Sequence, residues 1–163
     1  MAVTSYAIAL GSNRRSRHGS PAETVRAAAD AIGAKRLSRI RSTPALGPAG
    51  RSFANAAAIL SSAEDPPGLL AMLKSVEQDF GRRGGRRWGP RVLDLDIILW
   101  SEGAWAGGGL VIPHAAFRER RFVLEPLAEI GWDWCDPLTG LAIRQLLHRF
   151  RKPRAVDRAA GRT

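Results

Sequence analysis

The sequence predicts an α+β fold, with helices packed on a mainly antiparallel sheet. Two observations carry that expectation. Apolar segments of strand period and of helix period are mixed without strict alternation. The longer connections are rich in glycine and proline rather than helical. The first strand-like segment ends in Gly11-Ser12-Asn13, which lacks the glycine spacing of a dinucleotide-binding turn and so speaks against a dinucleotide site. A length of 163 residues suits one domain with a sizeable core. We expect residues 1–150 to form that domain and residues 151–163, polar and basic without an apolar period, to form a C-terminal tail.

Tyr6-Ala7-Ile8-Ala9-Leu10 reads as the first strand. Ser20-Pro21-Ala22-Glu23 has the capping-box spacing, with proline at the first helical position. The spacing predicts a helix over 21–32, stopped by Gly33, with Val25, Ala28, Ala29 and Ile32 inward. Arg36 to Ser42 is strand-like, and the two prolines and two glycines of residues 43–50 make a structured loop. Phe53 to Ser61 is a strand candidate with Phe53, Asn55, Ala57 and Ile59 on one face, although its alanines are weak strand formers.

Asp65-Pro66-Pro67 opens a second helix with Leu69, Leu70, Leu73, Val76 and Phe80 as its stripe and Gly81 as its end. Glu77 lies at the edge of that stripe, where a carboxylate needs a partner; the arginines after Gly81 are the candidates. Residues 101–109 read as a hairpin or surface loop, and Leu110-Val111-Ile112 as a short strand ended by Pro113. Phe122 to Ile130 is read as a helical turn or short helix around Pro126, and Gly140 to Phe150 as the last helix.

The formal net charge of +10 comes from arginine, since lysine occurs only at Lys35, Lys74 and Lys152. Two readings stay open at this point. A basic surface attracts nucleic acid, phosphorylated ligands or anionic membranes, whereas general arginine richness reflects no partner at all. Cys135 is the single cysteine, so no internal disulfide forms and a reducing, cytoplasmic setting is expected. No run of 18 apolar residues occurs, and the N-terminus has no basic segment followed by a long apolar one. No membrane partner is therefore expected.

The most informative stretch runs from Arg86 to Leu99, Arg-Arg-Trp-Gly-Pro-Arg-Val-Leu-Asp-Leu-Asp-Ile-Ile-Leu. As a strand it puts Leu93, Leu95, Ile97 and Leu99 on one face and Asp94 and Asp96 on the other. The two aspartates then stand about 6.6 Å apart along the backbone. A half-wet strand shows such a polar face to water. Aspartate is nevertheless depleted in strands, and carboxylate oxygens are the ligands that a hard cation takes. Arginines 82, 83, 86, 87 and 91 crowd the preceding loop, where they suit phosphate clamping or nucleic-acid binding. The glycine-lysine P-loop motif is missing. His114 stands alone, and His18 and His148 have no companions at metal spacing, so zinc is not expected. Trp88, Phe53 and Phe122 are core contacts or a stacking slot for a flat heterocycle whose edge Asn55 reads.

Taken in order, six blocks resemble the 6-hydroxymethyl-7,8-dihydropterin pyrophosphokinase family of folate biosynthesis, over about residues 5–130. They are Ala9 to Asn13, Thr43 to Pro48, Phe53 to Ala57, Glu77 with Gly81-Arg82, Arg87 to Ile97, and Pro113-His114 with Arg120 to Leu127. Trp88-Gly89-Pro90-Arg91 followed by Asp94-Leu95-Asp96 is the most specific of them. Arg41-Ser42 departs from the family's aromatic-basic pair.

The resemblance implies a ferredoxin-like α+β fold and transfer of pyrophosphate from ATP to the pterin hydroxymethyl group, releasing AMP. By position it implies that Asp94 and Asp96 hold two magnesium ions. Thr43, Pro44, Leu46, Phe53 and Asn55 would line the pterin pocket, with Trp88 and Phe122 sandwiching the ring. Arg82, Arg91, His114 and Arg120 would contact ATP phosphates, with Glu77 nearby and Ile97 towards the adenine. Arg82, Arg91, Asp94 and Asp96 are the expected catalytic set. ATP and the reduced pterin are the expected partners, with no nucleic acid, and the chain is expected to be a monomer.

Overall fold

The structure, a computed structural model, describes residues 2–43, 52–81 and 92–151. The sequence expectations for residues 44–51, for the arginine loop 82–91 and for the tail beyond 151 lie outside the described residues.

Strand β1 (Thr4–Ser12) is followed by helix α1 (Pro21–Ala31) and the short strands β2 (Arg36–Leu37) and β3 (Arg41–Thr43). Next come β4 (Phe53–Ser62), α2 (Pro66–Gly81), β5 (Asp94–Trp100) and the hairpin β6 (Trp105–Gly107) and β7 (Leu110–Ile112). A 3-10 turn (Phe117–Glu119) leads into α3 (Arg121–Gly131), and α4 (Ile143–Arg151) follows. The main sheet has the order β2-β4-β1-β5, with β3 also paired to β4, and its ladders are antiparallel.

Local chemistry explains most boundaries. Ser20 caps α1 by accepting the Glu23 amide while Glu23 reaches back to the Ser20 amide, the full capping box. Gly33, at φ +73°, takes the left-handed conformation just beyond that helix. Asp65 accepts the Gly68 amide at 2.9 Å and so starts α2. Gly108 and Gly109, both at positive φ, form the two-residue turn of the β6–β7 hairpin.

The sheet is covered on both faces. On one, Tyr6, Ile8, Leu10, Leu60, Leu95 and Ile97 pack with Val25, Ala28, Leu69, Leu73 and Phe80 of α1 and α2. On the other, Ala7, Ala57, Ile98 and Leu99 pack with Phe117 and with Val123, Leu124, Leu127, Ile143 and Leu146 of α3 and α4. This double cover explains the alanines of β4: Ala54, Ala56, Ala57 and Ala58 are all buried, and small side chains let helices approach the strand.

Two expectations about strands are corrected. The segment from Arg36 to Ser42 is not continuous. Ser38 donates its amide to the Ala57 carbonyl, but its hydroxyl, not its carbonyl, accepts the Ala57 amide at 2.9 Å. A side chain thus replaces one rung of the ladder and separates β2 from β3. Second, Leu99 does not share a face with Leu95 and Ile97. Ile8 pairs with Ile97 and Ala7 with Leu99, so Ile98 is an extra residue in a β-bulge. Beyond the bulge the alternation inverts, and Leu99 joins the α3 and α4 side. Among the described residues no helix is long and apolar enough to cross a membrane.

Candidate active site

The end of the sheet at the C-terminus of β1 and the N-termini of β4 and β5 opens into a cavity of about 470 Å³. Strand register builds its floor. Gly11 pairs with Asn55 on one side and with Asp94 on the other. Ala9 pairs likewise with Ala57 and Asp96. Paired residues of an antiparallel ladder point to the same face, so Asn55, Asp94 and Asp96 converge over two small residues of the central strand. Asp94 is exposed, whereas Asp96 and Asn55 are half-buried.

The walls come from elsewhere. Thr43 ends β3 and Phe53 begins β4, and both line the cavity. Phe122 and Val123 enter from the first turn of α3, Arg120 from the residue that caps it, and His114 from the segment after β7. Phe53 and Phe122 stay 46% and 53% exposed, an unusual placement for two phenyl rings flanking one cavity. The Arg120 guanidinium lies 5.8 Å from the centre of the Phe122 ring, a cation–π pair. His114 is held at its backbone, its amide donating to the Ile98 carbonyl at 3.1 Å. Its Nδ1 accepts the Ala116 amide at 3.2 Å, which leaves Nε2 as the proton-bearing nitrogen of the neutral ring.

Eight of the expected site residues, Thr43, Phe53, Asn55, Asp94, Asp96, His114, Arg120 and Phe122, are thus brought together. Pro44, Leu46, Arg82, Trp88 and Arg91 lie outside the described residues. Ile97 is not at the cavity. It is 3% exposed in the core beside α1 and α2, and its neighbour Ile98 lines the cavity instead.

Glu77 does not line the cavity either; it sits behind it. Its Oε2 accepts the Leu95 amide at 3.0 Å and its Oε1 meets Lys74 at 2.9 Å. Among the described residues these partners answer the need read from its half-buried position. β5 is an edge strand, and Glu77 takes up an amide on its outer side, between the two aspartates. The carboxylate therefore fixes the segment that aims Asp94 and Asp96.

Sequence reading gave Ala9, Gly11 and Ile98 no role at the site, although Ala9 and Gly11 belong to the block Ala9 to Asn13 that carries part of the resemblance.

Asp94 and Asp96 supply hard oxygen donors on one face of one strand, the donor chemistry that suits magnesium. Among the described residues no group of three or more His, Cys, Asp or Glu forms a metal cage. Magnesium is commonly held by one or two carboxylates together with substrate phosphates and water, so the pair fits that ion.

Fold and site together define an α+β protein with a cleft at a sheet end, flanked by aromatic rings and lined by two carboxylates, a histidine and an arginine. The family described as 7,8-dihydro-6-hydroxymethylpterin-pyrophosphokinase (HPPK) matches residues 7–131, and the chain belongs to it. A 2-amino-4-hydroxy-6-hydroxymethyldihydropteridine pyrophosphokinase from Haemophilus influenzae is 36% identical over 155 residues, covering 91% of this chain and 93% of that one. Its namesake from Synechocystis is 43% identical over 105 residues, covering 64% of this chain and 54% of the relative. The one from Methylorubrum extorquens is 40% identical, and the match spans 65% of both chains. The chain thus spans about half to two thirds of these last two relatives. Among solved structures, wild-type Plasmodium falciparum HPPK-DHPS superposes with a TM-score of 0.68 at 11% identity, covering 91% of this chain and 41% of that one. That likeness concerns the fold.

Proposed function

We propose that this chain transfers pyrophosphate from ATP to the hydroxymethyl group of 6-hydroxymethyl-7,8-dihydropterin, releasing AMP, as a magnesium-dependent step of folate biosynthesis. The observation that carries the reading is the convergence of two different sets of groups on one cavity. Phe53, Phe122 and Asn55 suit a flat heterocycle with hydrogen-bonding edges. Asp94, Asp96, His114 and Arg120 suit a metal-bound polyphosphate. Family membership supports the same conclusion.

In this reading the hydroxymethyl oxygen bonds to the β-phosphorus of ATP as the bond from that phosphorus to the α,β-bridging oxygen breaks. The bridging oxygen leaves with AMP, and the hydroxyl proton passes to solvent. No side chain is assigned as general base. Asp94 and Asp96 would hold two magnesium ions, which supply charge neutralisation along the triphosphate. Glu77 keeps the two aspartates aimed through the Leu95 amide. Arg120 and the Nε2 proton of His114 act on phosphate oxygens, and Arg82 and Arg91 are assigned the same electrostatic work on the strength of the family pattern. Thr43, Pro44, Leu46 and Asn55 are assigned to the pterin, with Trp88 opposite Phe122 across the ring. Ile97, which lies in the core and not at the cavity, is given no role at the adenine. A single cysteine fits work in the cytoplasm, and the chain is taken to act as a monomer.

The test is AMP formation from ATP and magnesium with and without the reduced pterin alcohol. AMP that appears only with the pterin is expected. No AMP, or AMP formed equally without pterin, contradicts the reading.

A further inference from the structure

One ion-pair network close to the cleft has no part in the chemistry above. The row of residues across the sheet extends beyond Asn55 to β3, where Arg41 is the paired residue. Arg41, Asn55, Gly11 and Asp94 thus stand side by side across four strands and face the same way. Arg41 does not line the cavity. Its guanidinium turns to α3 and bridges two carboxylates one helical turn apart, Glu125 at 3.1 Å and Glu129 at 3.4 Å. Glu125 also meets Arg121 Nε at 2.6 Å, and Glu129 also accepts the Arg39 amide at 2.8 Å. The side chains of Arg41, Glu125 and Glu129 are 33%, 24% and 30% exposed, so this is a partly buried network rather than a chance surface contact.

Its position matters more than its strength. β3 ends at Thr43, and α3 begins beside Arg120 and Phe122. All three of those residues line the cavity. Both walls are built on β4, with which β3 pairs and against which α3 packs, and the Arg41 ion pairs add a direct tie between β3 and α3. We propose that Arg41 is a positioning residue for the heterocyclic substrate, clamping β3 to α3 so that the two walls of the slot keep their separation. A planar fork with five donors can hold two carboxylates at once, which a lysine cannot do in the same geometry. Without Arg41, Glu125 keeps Arg121 and Glu129 keeps the Arg39 amide, but the link from Glu125 to β3 is lost. The metal-binding pair on β5 lies at the far end of the row and is untouched.

The inference rests on the reading of the cleft as a pterin site, and its test separates the two. In the full chain, Arg41→Ala is expected to raise KM for the reduced pterin about fivefold, with KM for ATP and kcat within about twofold of wild type. Glu125→Gln should move the same constant in the same direction, and Arg41→Lys should recover only part of it. Arg39→Ala keeps the backbone amide that Glu129 accepts and removes only a guanidinium that is 82% exposed and 4.0 Å from Glu129, so it should move the constants by less than about twofold. Hydrogen exchange reads the clamp without catalysis: amides of β3 and of the first turns of α3 should exchange faster in Arg41→Ala. An unchanged pterin KM, or equal rises for pterin and ATP, overturns the inference, as does unchanged exchange. If Arg41→Ala does not fold, Glu125→Gln is read by the same criteria. A wild-type chain that forms no AMP refutes the functional reading instead, and the exchange comparison still decides the clamp.

Discussion

Gly11 and Asn55 stand opposite each other in the β1–β4 ladder, and a Cβ on Gly11 would lie 3.3 Å from Asn55 Oδ1. The glycine thus leaves open the space in which the Asn55 amide can meet a ligand's edge. Gly11→Ala should fold, because the backbone there is ordinary strand, but the methyl group must push Asn55 aside. An increase of about tenfold in the pterin KM is expected from misplacing one such hydrogen-bonding group. Steady-state kinetics with the pterin varied checks this, and an unchanged KM would show that Asn55 does not read the ring.

The paired aspartates give the sharpest chemical prediction. Asp94→Asn and Asp96→Asn each keep volume and strand geometry while removing a charged oxygen donor. Each should lower kcat by on the order of a hundredfold or more. Circular dichroism and the melting temperature should stay close to wild type. Full turnover in either variant would remove that residue from the metal site.

Phe122 separates binding from stability. With its ring 53% exposed, Phe122→Ala should change stability by less than about 0.5 kcal/mol. Loss of a stacking surface should weaken pterin binding about five- to tenfold. Pterin fluorescence titration checks the second number and thermal unfolding the first.

A buried ion pair makes a pH prediction. Asp136 has no exposed surface. It receives Arg118 through two bonds of 2.6 and 2.8 Å, the Thr139 hydroxyl at 2.7 Å and the Leu138 amide at 3.1 Å. Burial pushes its pKa up, but the Arg118 and Thr139 bonds, the Leu138 amide and the Arg118 charge together outweigh that and hold it at about 2. A carboxyl depressed in the folded state binds its proton more readily when unfolded, where its pKa is about 3.9. The pair's stabilisation is therefore complete above about pH 4 and is lost as pH falls through about 2. Asp136→Asn should cost about 3 kcal/mol at neutral pH, because it leaves Arg118 without its counter-charge. The same variant should flatten the acid limb of the wild-type stability curve, measured by denaturant unfolding between pH 2 and pH 5.

How far the sequence could be read follows from the range of the interactions. The α1 cap at Ser20 and Glu23 and the stripe of α2 depend on residues within a few positions, and both were legible. So were Asp94, Asp96, Asn55, Phe53 and Phe122, whose types are unusual for their places. The bulge at Ile98 was not, because it is a mismatch between β5 and a strand some 90 residues earlier. The break at Ser38 was not, because a hydroxyl took the role of a backbone carbonyl. Gly11 and Ala9 work by what their side chains lack. The Arg41–Glu125 pair joins positions 84 residues apart, and only the assembled sheet brings them together.

The proposed reaction moves a pyrophosphoryl group in one step from ATP to a pterin alcohol. Mass analysis of the pterin product, with the nucleotide product identified in the same reaction, tests it most directly. A pterin that has gained two phosphate units is expected, with an equal amount of AMP. A pterin carrying one phosphate with matching ADP, or nucleotide hydrolysis that leaves the pterin unaltered, would contradict it.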